Sequence, residues 1–186
     1  VDAVAITGVA VLALLLLGAL LLYNSLIRAR NMVDEAWSGV DVQLRRRHDL
    51  VPNLVAAVKG YAAHEATLMT HIAADRAAAL AATDATTASL PESALAGHVR
   101  ALLALAESYP DLKASRNFAD LQSELASVEN NIAAARRIYN GNVRSYNDKI
   151  QSIPGILIAG PTGFAPRTMF IADESDRQPV TATLTL

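Results

Sequence analysis

Apolar side chains follow three successive patterns along the chain. From Ala3 to Tyr23 there is no charged residue, and the heart of the run, Val9 to Leu22, is almost wholly Leu, Val and Ala. About 20 such residues at ~1.5 Å rise cross a ~30 Å hydrocarbon core. The run predicts a transmembrane anchor over residues 1–23, with Val4, Val11, Leu15 and Leu22 facing lipid and Tyr23 at the interface. A cleaved signal peptide is the alternative. Against it stand the length of the run, the missing basic flank before it and the missing small-x-small site after it.

From Val33 a 4-3 repeat takes over. It reads Val33, Trp37, Val40, Leu44, Arg47, Val51, Leu54, Val58, Tyr61, Glu65, Leu68, Ile72, Asp75, Ala79, and eleven of those fourteen positions are apolar or aromatic. Such a stripe predicts a helix that buries one narrow face against other helices. The register continues through Pro52, which predicts a kink, or a fresh helix capped by Asp49. A polar break, Thr83 to Ser89, follows. Ser89-Leu90-Pro91-Glu92 then matches a capping box and predicts the next helix, with Leu95, Val99, Leu102 and Ala106 on one face. The last long helix begins near Asp111. Its seam is Phe118, Leu121, Leu125, Val128, Ile132, Ala135, Tyr139, Val143, Tyr146, Ile150, with a stutter after Tyr139, and Pro154-Gly155 closes it.

These patterns predict an all-α chain. An N-terminal transmembrane helix continues into an elongated antiparallel up-down bundle of three to four long helices over residues 24–153, joined by short connections. Residues 154–186 read as a turn-rich tail whose aromatics, Phe164 and Phe170, are able to pack on the bundle end. Its final alternation, Val180 to Leu186, predicts a strand if a partner strand is found and a disordered tail otherwise.

Composition changes this picture little. Net charge is −2 and aromatics are 5%, so no overall field attracts nucleic acid. The chain has no cysteine, which excludes disulfides and thiolate metal sites. Arg28 and Arg30 flank the span, and Arg45-Arg46-Arg47 lie beyond it. The positive-inside bias then places the N-terminus outside and the bundle in the cytoplasm, at the inner membrane. Arg28 and Arg30 are the better placed for lipid headgroups.

The polar seam residues Arg47, Glu65 and Asp75 read as buried pairing devices, with Glu124, Glu129, Arg136 and Arg137 as candidate partners. Asn140 and Asn147 each follow a tyrosine, seven residues apart. They read as interhelical hydrogen-bonding residues that dock on the first helix. His64-Glu65 lacks the second histidine of a zinc-protease motif, since position 68 is Leu68. His71 is two turns away, so no metal site is expected. No nucleophile motif or phosphate loop is present, and thin bundles seldom hold a pocket of about 300 Å³ or more. A catalytic site and a cofactor are therefore not expected.

Several ordered runs together resemble the LemA family of bacterial membrane proteins: Tyr23-Asn24-Ser25-Leu26-Ile27-Arg28-Ala29-Arg30-Asn31, Glu35-Ala36-Trp37-Ser38, Asp49-Leu50-Val51-Pro52-Asn53-Leu54-Val55, Tyr109-Pro110-Asp111-Leu112-Lys113-Ala114 and Arg136-Arg137-Ile138-Tyr139-Asn140. The resemblance runs from Tyr23 to about Phe170 and leaves the last sixteen residues unmatched. It implies one N-terminal anchor, a cytoplasmic helical bundle and no established activity, with membrane organisation as a theme. Two roles fit. One is a self-associating scaffold in the lipid bilayer, a homo-oligomer favoured by the Ala-rich stretch Ala73 to Ala82. The other is an adaptor docking on another membrane protein such as a protease or transporter. An enzyme fits least.

Overall fold

The structure, a computed structural model, describes residues 2–62 and 64–171, with the side chain of Asp2 left out. The chain is all-α. Its described helices are α1 (Asp2–Lys59), α2 (Ala66–Ala81), α3 (Ala85–Ala106), α4 (Pro110–Lys113), α5 (Arg116–Gln151) and α6 (Gly155–Ala159). The alternating stretch Val180 to Leu186 lies outside the described residues.

The start of α1 is the one stretch, among the described residues, long and apolar enough to cross a membrane, and none of it is buried by protein. Val4, Val11, Leu15 and Tyr23 are exposed and Leu22 is half-buried. The helix then runs on without interruption to Lys59.

Two compact units share α1 and α5. The first contains residues up to Gly39 together with Arg137–Met169; the second contains Val40–Arg136 and the residues from Phe170.

In the first unit the packed face is Leu26, Ala29 and Val33 of α1 with Tyr139, Val143, Tyr146 and Ile150 of α5. The stutter therefore keeps the seam buried on both sides of Tyr139. Trp37 is half-buried, its ring 5.4 Å from that of Tyr139. After α5 the chain turns through α6 and an extended stretch that buries Phe164.

In the second unit the core joins Val51, Leu54 and Val58 of α1, Ile72 of α2, Leu95 and Leu102 of α3, Leu112 of α4, and Phe118 and Leu125 of α5. Val40, Leu44, Val128 and Ile132 are buried as well, and Leu68 and Leu121 are half-buried. Each fully buried Leu, Ile or Phe contributes about 1.5–3 kcal/mol relative to exposure. That is ample to hold helices whose propensity alone leaves them marginal.

Three local expectations are corrected. The first stripe is not one helix: α1 ends at Lys59 and α2 starts at Ala66. Gly60, which follows Lys59, is a helix-ending signal that the heptad count passes over. Tyr61 and Glu65 therefore leave the seam; Tyr61 is 46% exposed and Glu65 is exposed, so Glu65 is not a buried pairing residue.

At Pro52 it is the alternative of a fresh helix capped by Asp49 that is overturned: α1 continues through the proline. A proline at 52 has no N–H for the carbonyl four residues back, His48. The Arg76 side chain of α2 replaces it, donating from Nε to the His48 carbonyl at 2.7 Å.

The third correction is the start of α3. Asp84, not Ser89, is the cap. The Asp84 carboxylate accepts from the backbone N–H groups of Thr86 and Thr87 at 2.9 Å, and the Thr87 hydroxyl accepts from the Asp84 N–H. Two capping signals five residues apart compete, and the earlier one allows five more residues of helix. Ser89 bonds back to the Ala85 carbonyl instead.

Candidate functional site

Moving the start of α3 releases Glu92 from capping and turns it into the core, where it is 1% exposed. It meets Arg47, equally buried on the α1 seam. One guanidinium nitrogen of Arg47 donates to Glu92 Oε2 at 2.5 Å. The other donates to both carboxylate oxygens of Glu129 on α5, at 2.9 and 3.1 Å. His48 closes the cluster, with Nε2 2.8 Å from Glu92 Oε1. An ionised carboxylate only accepts, so Nε2 carries the proton. The cluster ties α1 to α3 and α5 within the second unit.

Burial alone pushes the Glu92 carboxyl up, but the His48 hydrogen bond and the Arg47 charge outweigh it. The group stays below the ordinary carboxylate range. Burial likewise works against the Arg47 charge; the Glu129 and Glu92 carboxylates reverse this and hold its pKa above the usual arginine value. Both Glu92 oxygens are engaged, one by the Arg47 guanidinium and one by the His48 ring, so it is poorly suited to take a proton from a substrate. Arg47 Nε, His48 Nδ1 and Gln43 Oε1 are buried without a hydrogen-bond partner. The arrangement specifies which helix faces meet.

Beside it opens a groove of about 410 Å³. Its floor is Val99, Leu103, Leu125 and Ile132, and its polar groups include Arg100, Glu129 and Arg136. The sequence offered no reason to expect it, because its lining comes from α1, α3 and α5 at once.

The other seam acid, Asp75, is half-buried and meets α3 rather than the last helix: its Oδ2 lies 2.5 Å from His98 Nδ1. The His98 ring in turn lies 5.2 Å from that of His71. His64 sits in the exposed turn before α2. Among the described residues no three metal-ligating side chains converge.

In the first unit the tyrosines and Asn147 do something the sequence reading did not foresee. Asn147 grips the extended stretch after α6. Its Nδ2 donates to the Arg167 carbonyl and its Oδ1 accepts from the Arg167 N–H, both at 2.9 Å. Tyr146 and Tyr139 add hydroxyl bonds to the carbonyls of Ala165 at 3.0 Å and Thr168 at 2.9 Å. Asn142 docks on α1, its Nδ2 donating to the Met32 carbonyl at 3.0 Å; Asn140 is half-buried. Burial pushes the Tyr146 hydroxyl up, and the nearby Arg167 and Arg30 only partly offset it. Arg167 also pairs with Asp34 at 3.0 Å. Arg30 lies over the Phe164 ring at 5.5 Å, and that ring meets Tyr23 edge-on at 5.7 Å. Arg28 is exposed.

The sequence pattern of the LemA family matches residues 36–183. It therefore extends past Phe170, into the stretch that the motif resemblance left unmatched. The chain is also similar to a protein from Metamycoplasma hominis named Protein LemA, at 26% identity over 155 residues, covering 83% of this chain and 71% of the relative.

Proposed function

The chain belongs to the LemA family, and on that premise we propose that it is a single-pass, membrane-anchored scaffold that associates with further copies of itself and organises the bilayer around it. The observation that carries the reading is the continuity of α1: one helix has no buried residue along its apolar start and becomes a packed bundle element farther on. Farther along, α1 packs with α2, α3, α4 and α5 in a helical bundle. Arg28 and Arg30, just past the span, favour a cytoplasmic bundle at the inner membrane with the N-terminus outside.

Self-association has its own support. Helix α2 exposes Ala73, Ala74, Ala77, Ala78 and Ala81, a continuous small-residue face onto which another helix can approach closely. Catalysis, a cofactor and nucleic acid have no part in this reading. Mass photometry of the full chain in detergent is expected to find oligomers, and Ala74→Glu with Ala77→Glu to reduce them. Monomers alone at micromolar concentration refute the scaffold.

The groove beside Arg47 supports the second reading, an adaptor for another membrane protein. A pull-down that recovers one stoichiometric, different partner, lost on Leu103→Glu, would favour it.

A further inference from the structure

Within the first unit, α5 runs toward the membrane-spanning stretch. Tyr139 meets Trp37, and three residues later Asn142 meets Met32, so advancing along α5 means retreating along α1. Nine residues beyond Asn142, α5 ends at Gln151; nine residues before Met32, α1 reaches Tyr23, where the apolar run closes. With equal rise on both helices, the chain leaves α5 level with the edge of the span. The other end of the turn returns to the same level, because Phe164 packs on Tyr23.

Between those two fixed points the chain is uncharged from Ile150 to Pro166. It also presents large apolar side chains outward: Ile153 is 83% exposed, Ile156 49% and Leu157 70%. A single exposed aliphatic residue is ordinary, whereas three within five residues are not. Lys149, just before the uncharged stretch, is an exposed basic residue of the kind that reaches headgroup phosphates; Arg167, just after it, is exposed and pairs with Asp34.

We propose that the turn carrying α6 is a second membrane contact, with Ile153, Ile156 and Leu157 inserted among the headgroups and upper acyl chains of the same leaflet edge that Tyr23 occupies. The first contact threads the bilayer; this one lies in its surface, as short apolar interfacial segments do. Two contacts from one rigid unit would restrict tilt and rotation of the span, a property that suits a scaffold. The inference rests on the anchored reading above.

The chain has no cysteine, so single-cysteine labelling is clean. The full chain is reconstituted in phosphatidylcholine–phosphatidylglycerol vesicles with an environment-sensitive fluorophore at Leu14→Cys, Leu157→Cys or Ile138→Cys, then titrated with doxyl-labelled lipid. Ile138 is 62% exposed on α5, well back from Gln151. The expected result is blue-shifted emission and strong quenching at positions 14 and 157, with neither at 138. A label at 157 that emits as if in water overturns the proposal. So does one that is blue-shifted but unquenched, because protein then covers the turn. If the label at 14 is not quenched either, the anchor itself fails, and the two failures are thereby separated. Ile153→Cys repeats the measurement at a second exposed site.

Discussion

The Arg47–Glu92 pair permits a quantitative test. Both side chains are 1% exposed, their contact is 2.5 Å, and Arg47 also holds Glu129 while Glu92 also holds His48. Removing one partner of a buried pair strands the other charge and costs about 3–5 kcal/mol. Arg47→Met should therefore cost that amount, since Glu92 would keep only His48. Glu92→Gln should fall near the lower end, about 3 kcal/mol, because Glu129 still neutralises Arg47. At about 2–4 °C per kcal/mol for a domain of this size, each single variant lowers Tm by roughly 6–20 °C. The double variant strands no fully buried charge, since Glu129 is 42% exposed, so the two losses do not add; a coupling of about 2–3 kcal/mol is expected. The assay is helical circular dichroism of the full chain in detergent, melted at neutral and acidic pH.

The pH dependence has a definite sign. The folded pKa of Glu92 lies below its unfolded value, so the unfolded chain binds the extra proton. The contribution is complete above the ordinary carboxylate pKa of about 4.3 and is lost as pH falls from there through the depressed folded value. Glu92→Gln should flatten that acid limb. Strict additivity of the single variants, or an unchanged acid limb, would refute the reasoning.

Other substitutions probe separate features by the same melts. Arg76→Met removes the donor to the His48 carbonyl freed by Pro52, and should cost about 1–3 kcal/mol; Pro52→Ala in the same chain should recover part of it by restoring the helical bond. Gly155→Ala places a Cβ 1.9 Å from the Lys149 carbonyl oxygen, so the turn must shift, at a cost of about 1–3 kcal/mol. Asn147→Ala loses both bonds to Arg167 and should cost about 1–3 kcal/mol while making residues 164–168 more susceptible to limited proteolysis; Asn31→Ala, an exposed change, should do neither.

Periodic burial is a local property, and it was legible residue by residue. Leu44, Leu54, Val58, Ile72, Phe118, Leu125, Ile132, Tyr139 and Tyr146 were placed on seams by spacing alone, and Ile72 and Tyr146 are among the most buried side chains of the chain. The apolar run, hydrophobic on every face and so in need of cover by protein or lipid, was equally plain. Spacing could not find the break after Lys59, because the heptad count continues through Gly60 whether or not the backbone does. Nor could it choose between Asp84 and Ser89 as the cap. That choice placed Glu92, and with it the partner of Arg47; Glu129 was anticipated because α5 was already known to be a neighbour.

Hydrophobic period, helix propensity and chain length are properties of short segments, so the sequence alone determined helices, stripes and an apolar rod. Which polar atom meets which depends on the register between helices far apart in the chain. That register is decided by packing and by satisfying buried charges together. Only the tertiary structure could therefore join Arg47 to Glu92, give the His48 carbonyl to Arg76, and turn Asn147 toward Arg167.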